Sequence, residues 1–136
     1  MAQPTPELLR KVGLFADLDE KDLASLADEF NERRFSAGET IALEGAGGLM
    51  FFVVESGEAT VEVHGAEVAE LGPGDSFGEV ALIDRRPRTA TVTAKTELRT
   101  YGLPVFVFRP FVEARPQVAW KLLEKLADRI EAAESR

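Results

Sequence analysis

Hydrophobic and polar positions change their spacing twice along the chain. From about Thr5 to Phe30 the apolar residues recur at helical steps. Thr5-Pro6-Glu7 predicts a helix start, with a capping hydroxyl, a proline at the first turn and an acid near the positive end. Gly13 interrupts this helix. Asp19 then caps a second one, which carries Leu23, Leu26, Ala27 and Phe30 on one face.

From about Asn31 to Leu103 the spacing drops to two, or to short apolar runs. Thr40 to Leu43 predicts a short strand between Gly38 and Gly45. Leu49 to Val54 is continuously apolar and predicts a strand buried on both faces. Ser56-Gly57-Glu58 turns the chain into Ala59 to Val63, where alternation is clean. His64-Gly65 turns it again into Val68 to Leu71, and Gly72-Pro73-Gly74-Asp75 is a further turn. Thr89 to Ala94 alternates, and Leu98 to Leu103 follows a charged turn. Many short strands separated by glycine-rich turns predict a barrel or sandwich of about eight strands. From Pro104 the pattern is helical again. Pro116 opens the last helix, on which Ala119, Leu122, Leu123, Leu126, Ala127, Ile130 and Ala133 form one apolar stripe with Trp120 at its edge. The expected organisation is therefore residues 1–30 as N-terminal helices, 31–103 as a β-barrel and 104–136 as C-terminal helices, within one domain.

Composition narrows the function. The 136 residues hold 16 Lys and Arg against 24 Asp and Glu, a net charge of −8. Such a balance disfavours nucleic acid and anionic membrane surfaces as partners, because both need a basic face. With no cysteine and one histidine, disulfides, thiol nucleophiles and multi-histidine metal cages are excluded, and no metal site is expected. His64 reads as a turn residue beside Gly65. A polar N-terminus without a secretory apolar stretch, and no run of membrane-spanning length, make the cytoplasm the expected location.

One segment stands apart chemically, Phe77 to Val92. Gly78 has no Cβ, so a ligand could approach its backbone. The amides that open a short helical turn after it are free donors that favour an anion. Arg85, Arg86 and Arg88 are the densest basic cluster in an acidic chain. Arg85 and Arg86 read as solvated loop charges that raise the local potential. Arg88, Ala90 and Val92 share one face of the following strand, so an arginine beside a small alanine could reach an enclosed anion. Glu79 would repel a phosphate at close range, and fits only if it meets a hydroxyl some distance away. A sugar phosphate satisfies all of these groups together.

The segment, with Phe77-Gly78-Glu79, Ala81-Leu82 and Arg88-Thr89-Ala90 in order, resembles the phosphate-binding cassette (residues 77–92) of the cyclic-nucleotide-binding domain, in sensors of the catabolite-activator and kinase-regulatory-subunit kind. The likeness extends to Leu14-Phe15, Gly38-Glu39, Ser56-Gly57-Glu58, the Leu71 to Asp75 turn and the two C-terminal helices. It implies a mainly β fold, a cyclic-nucleotide-binding barrel or jelly-roll flanked by N-terminal and C-terminal helices. It implies that Glu79 accepts from the ribose 2′-hydroxyl and that Arg88 pairs with the cyclic phosphate. Gly78, Val80, Ala81 and Leu82 would supply backbone contacts, Thr89 a hydroxyl and Ala90 an amide. The last helix would close over the base, with Trp120 and Leu123 as its candidate contacts, although Trp120 also suits packing or an interface. The resemblance implies a non-catalytic sensor without a cofactor. Its ligand is cAMP or cGMP, with cAMP favoured, and binding moves the C-terminal helices.

Two features depart from the family pattern. The Glu44 to Gly48 loop looks short and weakly polar, and no helix-turn-helix follows the last helix, so the chain reads as a standalone module. The protein partner that reads the signal is left open, and the last helix suits either a lid or a homodimer seam, since its charges balance. The competing readings are a fold-retaining interaction module that binds no nucleotide, which Glu79 and Arg88 disfavour, and a cupin-like metalloenzyme, which the single histidine disfavours.

Overall fold

The computed structural model describes residues 3–42, 45, 50–78 and 90–134, without the side chains of Leu14, Lys125, Arg129, Ala132 and Ala133. Two helices come first, α1 (Pro6–Arg10) and α2 (Glu20–Ala27), with a 3₁₀ turn at Gly13–Phe15 between them. Both start as the sequence predicts. The Thr5 hydroxyl accepts from the Leu8 amide at 3.1 Å and the Asp19 carboxylate from the Asp22 amide at 2.8 Å.

The strands are β1 (Asn31–Phe35), β2 (Thr40–Ala42), β3 (Met50–Ser56), β4 (Ala59–Val63), β5 (Ala66–Leu71), β6 (Ser76–Phe77), β7 (Thr91–Ala94) and β8 (Leu98–Pro104). They pair antiparallel into two sheets, one in the order β1-β8-β3-β6 and the other β2-β7-β4-β5. The structure is thus mainly β with flanking helices, as expected. The β4–β5 hairpin turns on His64 (φ 53) and Gly65 (φ 81), both left-handed. That geometry matches the twist of the flanking strands, and it lets β5 start at Ala66, two residues earlier than the alternation indicated.

Within the apolar run, Phe51 to Val54 are buried on both faces because β3 serves two cores. Phe52 and Val54 point between the sheets, where they meet Ala42, Ala59, Phe77, Val92, Ala94 and Leu98. Phe51 and Val53 point outward, where the N-terminal segment covers them with Leu9, Phe15, Leu23 and Leu26, and with Phe30 from the connection to β1. Phe15 meets Phe51 edge-on at 5.8 Å between ring centroids. Strand β8 follows the same division. Leu98 faces inward, Tyr101 and Leu103 face the helices, and the fully buried Thr100 hydroxyl donates to the Arg33 carbonyl at 2.9 Å.

Two C-terminal helices follow, α3 (Val105–Glu113) and α4 (Pro116–Glu134). Pro116 opens α4 as expected, and its apolar stripe is docked only in part. Among the described side chains of α4, Val118 and Leu122 are the buried ones. Ala119 and Leu126 are half-buried, Ala127 is exposed, and Leu123 and Ile130 are 55% and 59% exposed. The docked face is therefore centred on Val118 and Leu122 and lasts about two turns. Beyond Leu122 none of the described side chains of α4 is buried.

Candidate functional site

The turn Gly72 to Asp75 carries the chain from β5 in the second sheet to β6 in the first. It closes on itself, since the Asp75 carboxylate accepts from the Gly72 amide at 2.8 Å. It is also stitched to β3, with Gly74 donating to the Val54 carbonyl and Val54 to the Asp75 carbonyl, both at 2.9 Å. These bonds set the position of the two-residue β6. Phe77 then stacks on Phe52 with ring centroids 5.0 Å apart and an interplanar angle of 24°, which buries it between the sheets.

Gly78 leaves β6 at φ +86, in the left-handed region that residues with a Cβ rarely adopt. It is half-buried, as is Ala90, which stands immediately before β7. Strand β7 belongs to the second sheet, paired with β2 and β4. Residues 79–89 therefore join Gly78, held to the first sheet through β3, to Ala90, held to the second. Val92 and Ala94 point into the space between the sheets, so the face assigned to Val92 in the sequence is the inward one. Glu79, Val80, Ala81, Leu82, Arg88 and Thr89 lie outside the described residues, as do Arg85 and Arg86.

The second sheet presents an acidic outer edge. Glu67 and Glu70 are exposed on β5, and Lys95 is ion-paired to Glu70, which holds its proton more tightly than usual. Trp120 and Leu123 do not meet the barrel interior in this arrangement. Trp120 is 65% exposed, and the buried face of α4 packs with the helices outside the first sheet. A polar cluster that the sequence pattern did not reveal lies there as well. The carboxylate of Asp22 on α2 accepts from Gln117 at 3.0 Å and sits 3.4 Å from Arg115. Its only signal in the sequence is an acid beside the buried Leu23. Among the described residues no group of three His, Cys, Asp or Glu side chains could hold a metal ion. No helix there is long and apolar enough to cross a membrane.

Residues 32–115 match the family model of the cyclic nucleotide-binding domain. A cAMP-dependent protein kinase regulatory subunit from Yarrowia lipolytica is 44% identical over 97 residues, which is 70% of this chain and 26% of that protein. This chain therefore spans about a quarter of the length of that relative. Among solved structures, the N-terminal domain of a transcriptional regulator from Streptomyces coelicolor A3(2) superposes with a TM-score of 0.83 at 34% identity, over 94% of this chain and 92% of that one. The regulatory domain of Toxoplasma gondii PKA, crystallised with cAMP, gives 0.72 at 35% identity, over 79% of this chain and 42% of that one. The inward-facing strands, the Phe77-Gly78 start of the cassette and the family match place this chain in the cyclic nucleotide-binding domain family.

Proposed function

We propose that this chain is a non-catalytic sensor that binds a cyclic nucleotide, cAMP in preference to cGMP. The observation that carries the reading is the run Phe77-Gly78-Glu79 to Arg88-Thr89-Ala90, whose two ends are fixed to opposite sheets. A 44% identical relative is named as a cAMP-dependent kinase regulatory subunit, and a similar regulatory domain was crystallised with cAMP. Both support the choice of ligand. In this reading Glu79 accepts from the ribose 2′-hydroxyl and Arg88 pairs with the cyclic phosphate. Backbone groups of Gly78, Val80, Ala81, Leu82 and Ala90 and the hydroxyl of Thr89 complete the anion cradle. Ligand binding then biases the position of α3 and α4, a population shift driven by contacts made in only one arrangement. No cofactor or metal is needed, and the protein acts in the cytoplasm through a partner protein.

Calorimetric titration with cAMP and with cGMP tests this. Both nucleotides are expected to bind, cAMP more tightly by roughly tenfold, since one hydroxyl contact sets the difference. Arg88→Ala is expected to weaken cAMP on the order of tens- to thousands-fold, because it leaves a desolvated phosphate without its charge partner. Glu79→Ala removes one charge-assisted hydrogen bond and is expected to cost less. Undiminished cAMP binding by Arg88→Ala would place the ligand elsewhere. No heat with either nucleotide would leave an interaction module that keeps the fold and has lost the ligand.

A further inference from the structure

We propose that Asp22 is a positioning residue that latches the α3–α4 junction to α2, and that opening this latch releases α4 while both sheets stay folded. The inference goes beyond the nucleotide reading and does not depend on it. Asp22 is an unusual residue to bury. It is 9% exposed and lies among Leu23, Leu26 and Ala27. Its backbone amide donates to the Asp19 cap, and its carboxylate reaches away from α2 to the start of α4. One oxygen accepts from the Gln117 amide at 3.0 Å, and the other lies 3.4 Å from the Arg115 guanidinium. Those two residues flank Pro116, where α4 starts.

Arg115 is itself held in place. Its guanidinium sits 4.1 Å over the centroid of the Phe111 ring and donates to the Phe111 carbonyl at 3.4 Å. The chain thus meets Asp22 with a preset cation on one side of Pro116 and an amide on the other. Among the described side chains, the remaining hold on α4 is the buried Val118 and Leu122, the half-buried Ala119 and Leu126, and a 4.0 Å approach of Lys121 to Asp17 that stays in solvent. A partly buried carboxylate with one hydrogen-bond donor and one ion-pair partner is costly to leave half-satisfied. The contact therefore breaks as a unit, and α4 loses its anchorage to α2 when it does.

Amide hydrogen exchange on the full chain tests the latch. Asp22→Asn keeps the shape and removes the charge. It is expected to speed exchange at the Trp120 to Glu124 amides by about tenfold or more, with the β3 and β8 amides unchanged. Gln117→Leu removes one arm from an exposed position and is expected to give a smaller acceleration confined to the same amides. Lys121→Ala, which removes only the solvent-screened pairs with Asp17 and Glu124, is expected to change neither set. Equal exchange in the parent and Asp22→Asn overturns the proposal. So does acceleration spread evenly over α4, β3 and β8, which is what a general loss of stability produces. If Asp22→Asn does not fold, Gln117→Leu decides: unchanged α4 exchange in that variant overturns the latch.

Discussion

Glu32 holds two arginines with one carboxylate. One oxygen accepts from Arg34 at 2.9 Å and the other from Arg99 at 2.7 Å, across the β1–β8 pair. Arg99 also lies over the Tyr101 ring, 5.8 Å from its centroid. The Arg99 and Arg34 hydrogen bonds pull the Glu32 proton affinity below the ordinary value of 4.5, and the same contact raises that of Arg99. A carboxyl whose folded value is lowered binds fewer protons folded than unfolded. Its contribution to stability is therefore complete above about the ordinary value and fades as pH falls through the folded one. Because Glu32 and Arg99 are half-buried and still reached by solvent, the gain is modest. Melting temperature measured between neutral pH and about pH 3 is expected to fall less steeply for Glu32→Gln than for the parent. Parallel curves would mean that the two arginines do not discriminate between the protonation states of Glu32.

Among the elements, α4 shows most directly what a local pattern can and cannot specify. Its nineteen residues make a rod about 28 Å long, with apolar residues over a wide arc. Spacing alone leaves several faces of that arc equivalent. The face that docks is selected by the Gly13–Phe15 turn, by α3 and by Asp22 of α2, and the Asp22–Gln117 bond spans a separation of 95 residues. No window of sequence along α4 contains that information. Leu122→Ala is expected to cost about 2–4 kcal/mol, because it empties a packed site. Ile130→Ala, on the free part of the helix, is expected to stay within about 0.5 kcal/mol of the parent. Urea denaturation of the two variants checks the contrast, and equal losses would put Ile130 in contact with the body. Strand β1 was hidden for a related reason. Asn31-Glu32-Arg33-Arg34 has no apolar alternation and is a strand because β8 pairs with it over its full length. By contrast β3, β4 and the capped helices were legible, since each carries its own signal. The candidate site was legible as an ordered motif, through its resemblance to a family. Which of its ends belongs to which sheet was not, because that follows from pairings between β6 and β3 and between β7 and β4.

At the scale of the molecule the two termini play unequal parts. Among the described residues, the barrel interior is filled by side chains of the strands themselves, from Ala42 to Leu98. The outer face of the β1-β8-β3-β6 sheet is as apolar as the inner one, with Phe51, Val53, Tyr101 and Leu103 all buried. A sheet that is apolar on both faces needs a layer on each side. The N-terminal helices supply most of the outer layer through Leu8, Leu9, Val12, Phe15, Leu18, Leu23, Leu26 and Ala27, all buried. Burying each of the larger side chains contributes about 1.5–3 kcal/mol, so together they rival the ~5–15 kcal/mol net stability of an ordinary domain. The far end of α4 is the opposite case, since no described side chain beyond Leu122 is buried. Deleting residues 1–28 is therefore expected to abolish the cooperative thermal transition seen by circular dichroism, and to leave an apolar sheet face that aggregates. Deleting residues 127–136, whose described side chains are all exposed, is expected to leave the melting temperature within a few degrees of the parent. A cooperative transition surviving the first deletion would show that the barrel folds on its own interior. A large loss from the second would show that the end of α4 packs against the body.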